Sequence, residues 1–151
     1  MVNYIYAKDL INQQSLAGYV RLADIDFNPS IGGRVDIDLW TKKIILSGDV
    51  ILAISEERIV GAIFFYANDI ASKKAYISYL SVHRDFRSQG IARNLLARSF
   101  SLSKEKGMRK VGVHTHNDVA LNLYKKIGFT VVEQVTTHKD GILKSYLERS
   151  L

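Results

Sequence analysis

Apolar positions recur along this chain with two different periods, and the change between them falls near residue 50. Before that point they recur every three or four residues, as in amphipathic helices. This pattern predicts a first helix over residues 9–24 and a second over residues 36–46. The connection between them contains two adjacent glycines and the only proline of the chain, which is typical of a loop.

Beyond residue 50 most apolar segments are short and dense, as strands of a buried sheet are. Polar turns and two further helical patterns separate them. A hairpin turn is predicted at Lys139-Asp140-Gly141, because Asp-Gly favours tight turns. The predicted strands cover residues 50–54, 59–66, 75–82, 111–115, 130–135 and 142–147, and the further helices cover residues 90–106 and 117–126.

This order predicts an α/β (α+β) fold with a mixed central sheet and helices on both faces. The length of 151 residues fits a single domain over residues 1–151. The absence of cysteine excludes disulfides and thiolate metal sites. We see no signal peptide and no membrane-spanning stretch, and we expect a cytoplasmic protein without a membrane partner.

A net charge of +6 fits either a solvated basic surface or an anionic ligand. The basic residues are dispersed and form no block, so no nucleic-acid partner is expected. One segment suggests where an anion would bind. The predicted strand 75–82 leads into Arg87-Ser-Gln-Gly90-Ile-Ala92, where a helix begins. The first amides of a helix lack partners within it and favour negative charge, and Gly90 and Ala92 leave the backbone accessible.

That hexapeptide resembles the pyrophosphate loop of the Gcn5-related N-acetyltransferase (GNAT) superfamily. A second segment lies 27 residues after Gly90. It begins Asn117-Asp-Val-Ala120 and continues through Tyr124 to Gly128-Phe129, and it resembles the Asn-x-x-Ala-x-x-x-Tyr-x-x-x-Gly-Phe signature of the same family. The two motifs stand in the family's order and spacing. The resemblance covers residues 50–129 and implies the acyl-CoA N-acyltransferase fold, whose sheet has a splayed central opening.

The resemblance implies that acetyl-CoA binds in that opening, with its pantetheine arm along the strand that ends at Val82. Amides around Ser88–Arg93 would hold the pyrophosphate, and Asn117 would contact the cofactor from the second motif. The predicted cofactor-binding residues are Leu80, Val82, Arg87, Ser88, Gln89, Gly90, Ile91, Ala92, Arg93, Asn117 and Tyr124.

By the same resemblance, Tyr124 is the general acid that protonates the leaving thiolate of coenzyme A. Helical spacing also allows Tyr124 to be a core aromatic residue. The backbone amide of Ser81 or Val82 would stabilise the oxyanion. The general base stays open among a water relay through Ser78 or Ser81 and a set of side chains. These candidates are Tyr79, His83, His114, His116 and Asp69. No metal is expected, because His114 and His116 have no third ligand near them.

The leading function is acetyl-CoA-dependent transfer of an acetyl group to a primary amine, by direct attack on the thioester in a ternary complex. A small amine or amino sugar is the favoured acceptor. The runs Phe65–Asp69 and Arg34–Asp38 resemble GNAT members linked to bacterial polysaccharide and amino-sugar pathways, which supports that choice. Candidate acceptor contacts are Asp36, Asp38, Tyr66, Asn68, Asp69 and Tyr79. Alternatives are a non-catalytic acyl-CoA sensor, or an acetyltransferase directed at tRNA or protein. A homodimer is possible.

Overall fold

The computed structural model describes residues 1–27, 30–136 and 141–151. Within them a seven-stranded sheet is flanked by four helices. The strands are β1 (Asn3–Tyr6), β2 (Asp49–Ser55), β3 (Arg58–Tyr66), β4 (Lys74–Val82), β5 (Lys110–Thr115), β6 (Thr130–Thr136) and β7 (Leu143–Ser150). The helices are α1 (Gln13–Ala23), α2 (Ile37–Ser47), α3 (Ile91–Glu105) and α4 (Asp118–Lys126).

The N-terminal end differs from the sequence prediction. The chain begins with β1, which the hydrophobic pattern did not reveal, and β1 pairs antiparallel with β2 at the sheet edge. Helix α1 begins at Gln13 and not near Asp9, because the Asn12 side chain caps it by accepting a hydrogen bond from the Ser15 amide at 2.8 Å. The predicted turn at residues 139–141 lies largely outside the described residues.

The strand order across the sheet is β1-β2-β3-β4-β5-β7-β6. All neighbours are antiparallel except β4 and β5, which are parallel and connected through α3. Helices α1 and α2 pack on one face, where Leu16, Val20 and Ile44 are fully buried. Helices α3 and α4 cover the other face. This arrangement confirms the predicted mixed sheet with helices on both faces.

Strands β4 and β5 separate halfway along their length. They pair from Lys74↔Lys110 to Ile77↔Val113 and no further, although β5 continues its pairing with β7. The separation coincides with a bulge in β4: Tyr79 pairs with Phe64 and Ile77 with Phe65, so Ser78 is an extra residue opposite β3. Bulges bend a strand and increase its twist. The sheet therefore contains a splayed opening immediately beyond Ser78.

None of the helices in the described part of the chain has the length and apolar character needed to cross a membrane.

Candidate active site

The splayed opening forms a cleft of about 1210 Å³. One wall is β4 from Tyr76 to Val82, and the other comprises residues 113–117 with the inner face of α4. The turn after β4 and the start of α3 close one end, and the segment between α1 and α2 borders the other side. The cleft is thus lined by residues from both faces of the sheet.

The edge of β4 that faces the cleft offers backbone groups. The His83 amide donates to Val60 O on β3 at 2.7 Å. Because successive residues of a strand direct their amides to opposite edges, the Ser81 N–H also faces β3, whereas those of Leu80 and Val82 face the cleft. Of the two predicted oxyanion donors, only the Val82 amide therefore faces the cleft. The Val82 carbonyl accepts a hydrogen bond from Arg87 Nε at 3.1 Å.

The loop between β4 and α3 combines unpaired amides with nearby positive charge. Ser88 and Gly90 both have left-handed backbone conformations, with φ of 62° and 81°. In the described chain the amides of residues 87–93 have no backbone or side-chain acceptor. The first helical turn of α3 adds its positive dipole end, and the Arg87 and Arg93 side chains lie at the same cleft. This arrangement fits a pyrophosphate, which needs several N–H donors and positive charge.

All predicted cofactor-binding residues line the cleft except Gln89, which lies in the exposed loop. Asn117 caps α4, since its side-chain oxygen accepts hydrogen bonds from the amides of Val119 and Ala120 at 2.7 and 3.2 Å. Its side-chain NH₂ group has no partner among the described residues, and remains available as a donor to a ligand.

Tyr124 projects from α4 into the cleft where β4 and β5 part. Its side chain is 5% exposed, and its ring packs edge-on against Phe129 at 5.3 Å between centroids. Burial raises the pKa of the Tyr124 hydroxyl, and the nearby Tyr76 hydroxyl raises it further. The hydroxyl therefore keeps its proton at neutral pH and can donate it. The Tyr124 ring is therefore largely buried, and the residue also lines the cleft.

Tyr76 and His114 form a hydrogen-bonded pair across the parallel strands. The Tyr76 hydroxyl and His114 Nδ1 are 2.8 Å apart, and the His114 ring also lies 4.7 Å from the Tyr146 ring. Partial burial lowers the pKa of His114, and the positive charges of Lys144 and His116 lower it further, against a smaller opposite effect of Glu133. The imidazole is therefore neutral at pH 7 and can accept a proton.

Aromatic and hydroxyl groups line the α1 side of the cleft. The Tyr79 ring is 4% exposed and stacks on Phe27 with centroids 5.4 Å apart. Its hydroxyl is buried without a hydrogen-bond partner in the described chain. The Ser81 and Tyr19 hydroxyls lie 2.8 Å apart on the same wall. Of the predicted acceptor contacts, only Tyr79 lies at the cleft.

The structure does not bring the other predicted acceptor contacts to the cleft. Asp36 caps α2 by accepting from the Leu39 amide at 3.2 Å, and Asp38 pairs with Arg21 at 2.8 Å. Asn68 donates to Ser47 O at 2.8 Å. Asp69 accepts from the Ser72 amide, and Tyr66 lies under Lys43. The connection that contains Asn68 and Asp69 meets β4 at Lys74, which is the end remote from the opening.

Only some of the candidate general bases lie at the cleft. His114 and His116 line the cleft on the β5 side, whereas Asp69 is remote from it. His83 lies at the cleft end and accepts a hydrogen bond from the Asp85 amide at 3.1 Å. Among residues 1–27, 30–136 and 141–151, no three His, Cys, Asp or Glu side chains are grouped as metal ligands. The expectation of a metal-free enzyme stays a prediction.

Several cleft residues were not among the predicted site residues, notably Tyr76, Arg34 and Lys144. Tyr76 is 38 residues from His114 in the chain, and the two meet only through the parallel register of β4 and β5. Arg34 lies in the turn before α2, and Lys144 in β7. No local motif marks Tyr76 or Lys144, and the resembling run Arg34–Asp38 assigns no role to Arg34, so the sequence alone did not identify these residues as part of the site.

Solved structures share this fold. A GNAT-family acetyltransferase of Staphylococcus aureus superposes with a TM-score of 0.77 at 19% identity, covering 100% of this chain and 99% of that one. A chain of the NatC complex bound to Gag peptide and CoA superposes with a TM-score of 0.79 at 19% identity. The superposition covers 99% of this chain and 98% of that one. The third structure is a Bacillus anthracis protein described as a streptothricin acetyltransferase, in complex with acetyl coenzyme A. It superposes with a TM-score of 0.63 at 22% identity, covering 70% of this chain and 63% of that one.

Two characterised sequences are similar over half of the chain. GCN5-related N-acetyltransferase 6, chloroplastic, of Arabidopsis thaliana is 38% identical over 80 residues, which cover 51% of this chain and 28% of that protein. N-alpha-acetyltransferase 30 of Schizosaccharomyces pombe is 28% identical over 83 residues, covering 52% and 55%. The matches thus span between about a quarter and somewhat over half of the length of these relatives.

The family model of the acetyltransferase (GNAT) family matches residues 21–129, which is more than half of the chain. Both resembling motifs and both strands of the splayed opening lie within that match. The chain belongs to the GNAT family of acetyltransferases.

Proposed function

We propose that this protein transfers the acetyl group of acetyl-CoA to a primary amine, by direct attack of the amine in a ternary complex. One observation carries the proposal. A buried proton donor, Tyr124, and a neutral proton acceptor, the Tyr76–His114 pair, line a single cleft where β4 and β5 part. Acyl transfer from a thioester to an amine requires one group of each kind.

The loop between β4 and α3 would hold the pyrophosphate through the amides of residues 88–93, with Arg87 and Arg93 supplying positive charge. The Leu80 and Val82 edge of β4 would pair with the amide groups of the pantetheine arm, as a neighbouring strand would. Acetyl-CoA supplies an activated acetyl thioester to this site.

The proton transfers are assigned to three residues. The amine nitrogen forms a bond to the acetyl carbon, and the carbon–sulfur bond breaks. The amine proton passes to His114, which Tyr76 holds in orientation. The Tyr124 hydroxyl donates its proton to the departing sulfur, and the Val82 amide stabilises negative charge on the acetyl oxygen. The raised pKa of Tyr124 and the lowered pKa of His114 put each residue in the protonation state that its role requires.

The favoured acceptor is a small amine or an amino sugar, because the cleft is bordered by aromatic and hydroxyl side chains that suit a compact polar molecule. A protein N-terminus is the second candidate. It is favoured by the similarity to N-alpha-acetyltransferase 30 and to the NatC chain whose structure contains a peptide. Both candidates supply a primary amine to the same pair of side chains. The predicted cytoplasmic location stays a prediction.

Two measurements test the proposal. Acetyl-CoA should raise the melting temperature, since a ligand that binds only the folded state stabilises it. Mass spectrometry on a panel of amines incubated with the protein and acetyl-CoA should then detect an acetylated product. Stabilisation without transfer to any amine or peptide would support a non-catalytic sensor instead, and absence of stabilisation would contradict the assigned cofactor site.

A further inference from the structure

The positively charged side chains at the two ends of the cleft differ in their partners. At the loop end, Arg84 and Arg87 lie 2.7 and 3.5 Å from the Asp26 carboxylate, and the loop amides add a site for the cofactor's pyrophosphate. Among the lining residues in the described part of the chain, Asp26 is the only acidic one. At the Tyr76–His114 end, the positive charges are those of Arg34 and Lys144.

Lys144 lies beside His114 because of the strand register. His114 is opposite Tyr146 in the β5–β7 pairing, and Thr115 is opposite Ser145. Side chains two residues apart in a strand point to the same face, so Lys144 and Tyr146 share the face of His114. Lys144 is then the diagonal neighbour of His114, within reach of a long side chain. Its charge contributes to the lowered pKa of His114.

Arg34 lines the same cleft from the segment between α1 and α2. The Arg34 Nε donates a hydrogen bond to Ser30 O at 3.2 Å, and this bond anchors the Arg34 side chain at the turn before α2. The positive charge of Arg34 favours ionisation of Tyr76 and partly offsets the rise in the Tyr76 pKa that burial causes. The cleft that contains the Tyr76–His114 pair is therefore also lined by an arginine and a lysine that act electrostatically on this pair.

Neither cation has a carboxylate partner in residues 1–27, 30–136 and 141–151. The acidic residues closest to Arg34 in sequence are engaged, since Asp36 caps α2 and Asp38 pairs with Arg21. Glu133 influences His114 more weakly than Lys144 does. Two such cations beside an attacking amine disfavour a simple cationic amine and attract an anion.

We propose that the acceptor is an amine that also carries an anionic group, a phosphate or carboxylate, which Arg34 and Lys144 bind beside the Tyr76–His114 pair. This inference rests on the proposed function and narrows its substrate class. The anionic group orients the acceptor so that its amine lies at His114. A phosphorylated amino sugar and a peptide with an acidic residue after its N-terminal residue both carry this chemistry.

Matched acceptors test the charge requirement on the unmodified protein. The first pair is glucosamine and glucosamine 6-phosphate, and the second is two peptides that begin Met-Glu or Met-Gln. In at least one pair the anionic member should show a kcat/KM higher by about tenfold or more, as expected for a charge-assisted contact. The pair that is acetylated identifies the source of the amine. Equal rates within each acetylated pair would overturn the inference and leave the proposed function intact.

Substitutions then assign the preference to residues. Arg34→Gln and Lys144→Gln should each reduce the preference, measured as the ratio of the two kcat/KM values in a pair, chiefly by raising the KM of the anionic member. Arg109→Gln and Lys126→Gln are matched controls, because both side chains are exposed outside the cleft and should leave the preference unchanged. A preference that persists in both cleft variants would refute the assignment. Transfer to no acceptor, despite stabilisation by acetyl-CoA, would contradict the proposed function and this inference with it.

Discussion

Replacing Tyr124 by phenylalanine removes one hydroxyl and preserves the packing around it. The Tyr124 ring contacts Phe129, and that contact is available to a phenylalanine. The hydroxyl makes no hydrogen bond to the described chain, so its loss leaves no protein group unsatisfied. We expect the free energy of unfolding to change by less than about 1 kcal/mol. The stabilisation by acetyl-CoA should also remain.

The rate of acetyl transfer should change much more than the stability does. A positioned general acid contributes about 10²–10⁴-fold, which corresponds to about 3–5 kcal/mol of the activation barrier. Because slow product release can conceal a chemical defect, the assay is a single-turnover experiment with enzyme in excess over acetyl-CoA, followed by thiol release. Tyr4→Phe, on a ring that stacks under Arg98 away from the cleft, is the matched control. A single-turnover rate in Tyr124→Phe equal to that of the parent would refute the general-acid assignment.

Three further substitutions test other parts of the structure. Gly90→Val should abolish the rise in melting temperature caused by acetyl-CoA, whereas Gly107→Val, at a similar positive φ but at the far end of α3, should lower stability and retain that rise in melting temperature. His114→Gln should lower kcat/KM by about 10²-fold. In the parent, protonation of His114 should add a decline in kcat/KM below the ordinary histidine pKa of 6.5, because the His114 pKa is lowered, and the variant should lack this added decline. Lys106→Met should lower the free energy of unfolding by about 2 kcal/mol in urea titrations, since it leaves the buried Asp49 carboxylate without its ammonium partner at 2.8 Å; an unchanged transition midpoint would contradict this reasoning.

The sequence predicted most helices and strands of this fold because their hydrophobic periods are strong. It did not predict β1, since four residues at a sheet edge carry too short a pattern. Nor could it place β7 between β5 and β6, because strand order depends on pairing between distant segments. The predicted cofactor loop and Tyr124 were identifiable because a resembling motif contains each of them.

The acceptor side of the site was less predictable. Asn68 and Asp69 were chosen as polar residues of a loop after a buried strand, but the chain returns into β4 at the end remote from the opening. Tyr76 and Lys144 look like ordinary strand residues in the sequence. They meet at the cleft only because β4, β5 and β7 align in a particular register. Local sequence carries no information about that alignment.

The single extra residue in β4 has a consequence for how the chain can change by mutation. Deletion of Ser78 would restore an uninterrupted register with β3. It would leave Tyr79 and Leu80 on their present faces, because they already pair with Phe64 and Ile63, the β3 residues that precede Phe65, the partner of Ile77. Pairing between β4 and β5 could then continue, and the sheet would become more regular as the cleft closed. The extra residue therefore interrupts regular strand pairing and at the same time leaves an opening that can admit a ligand.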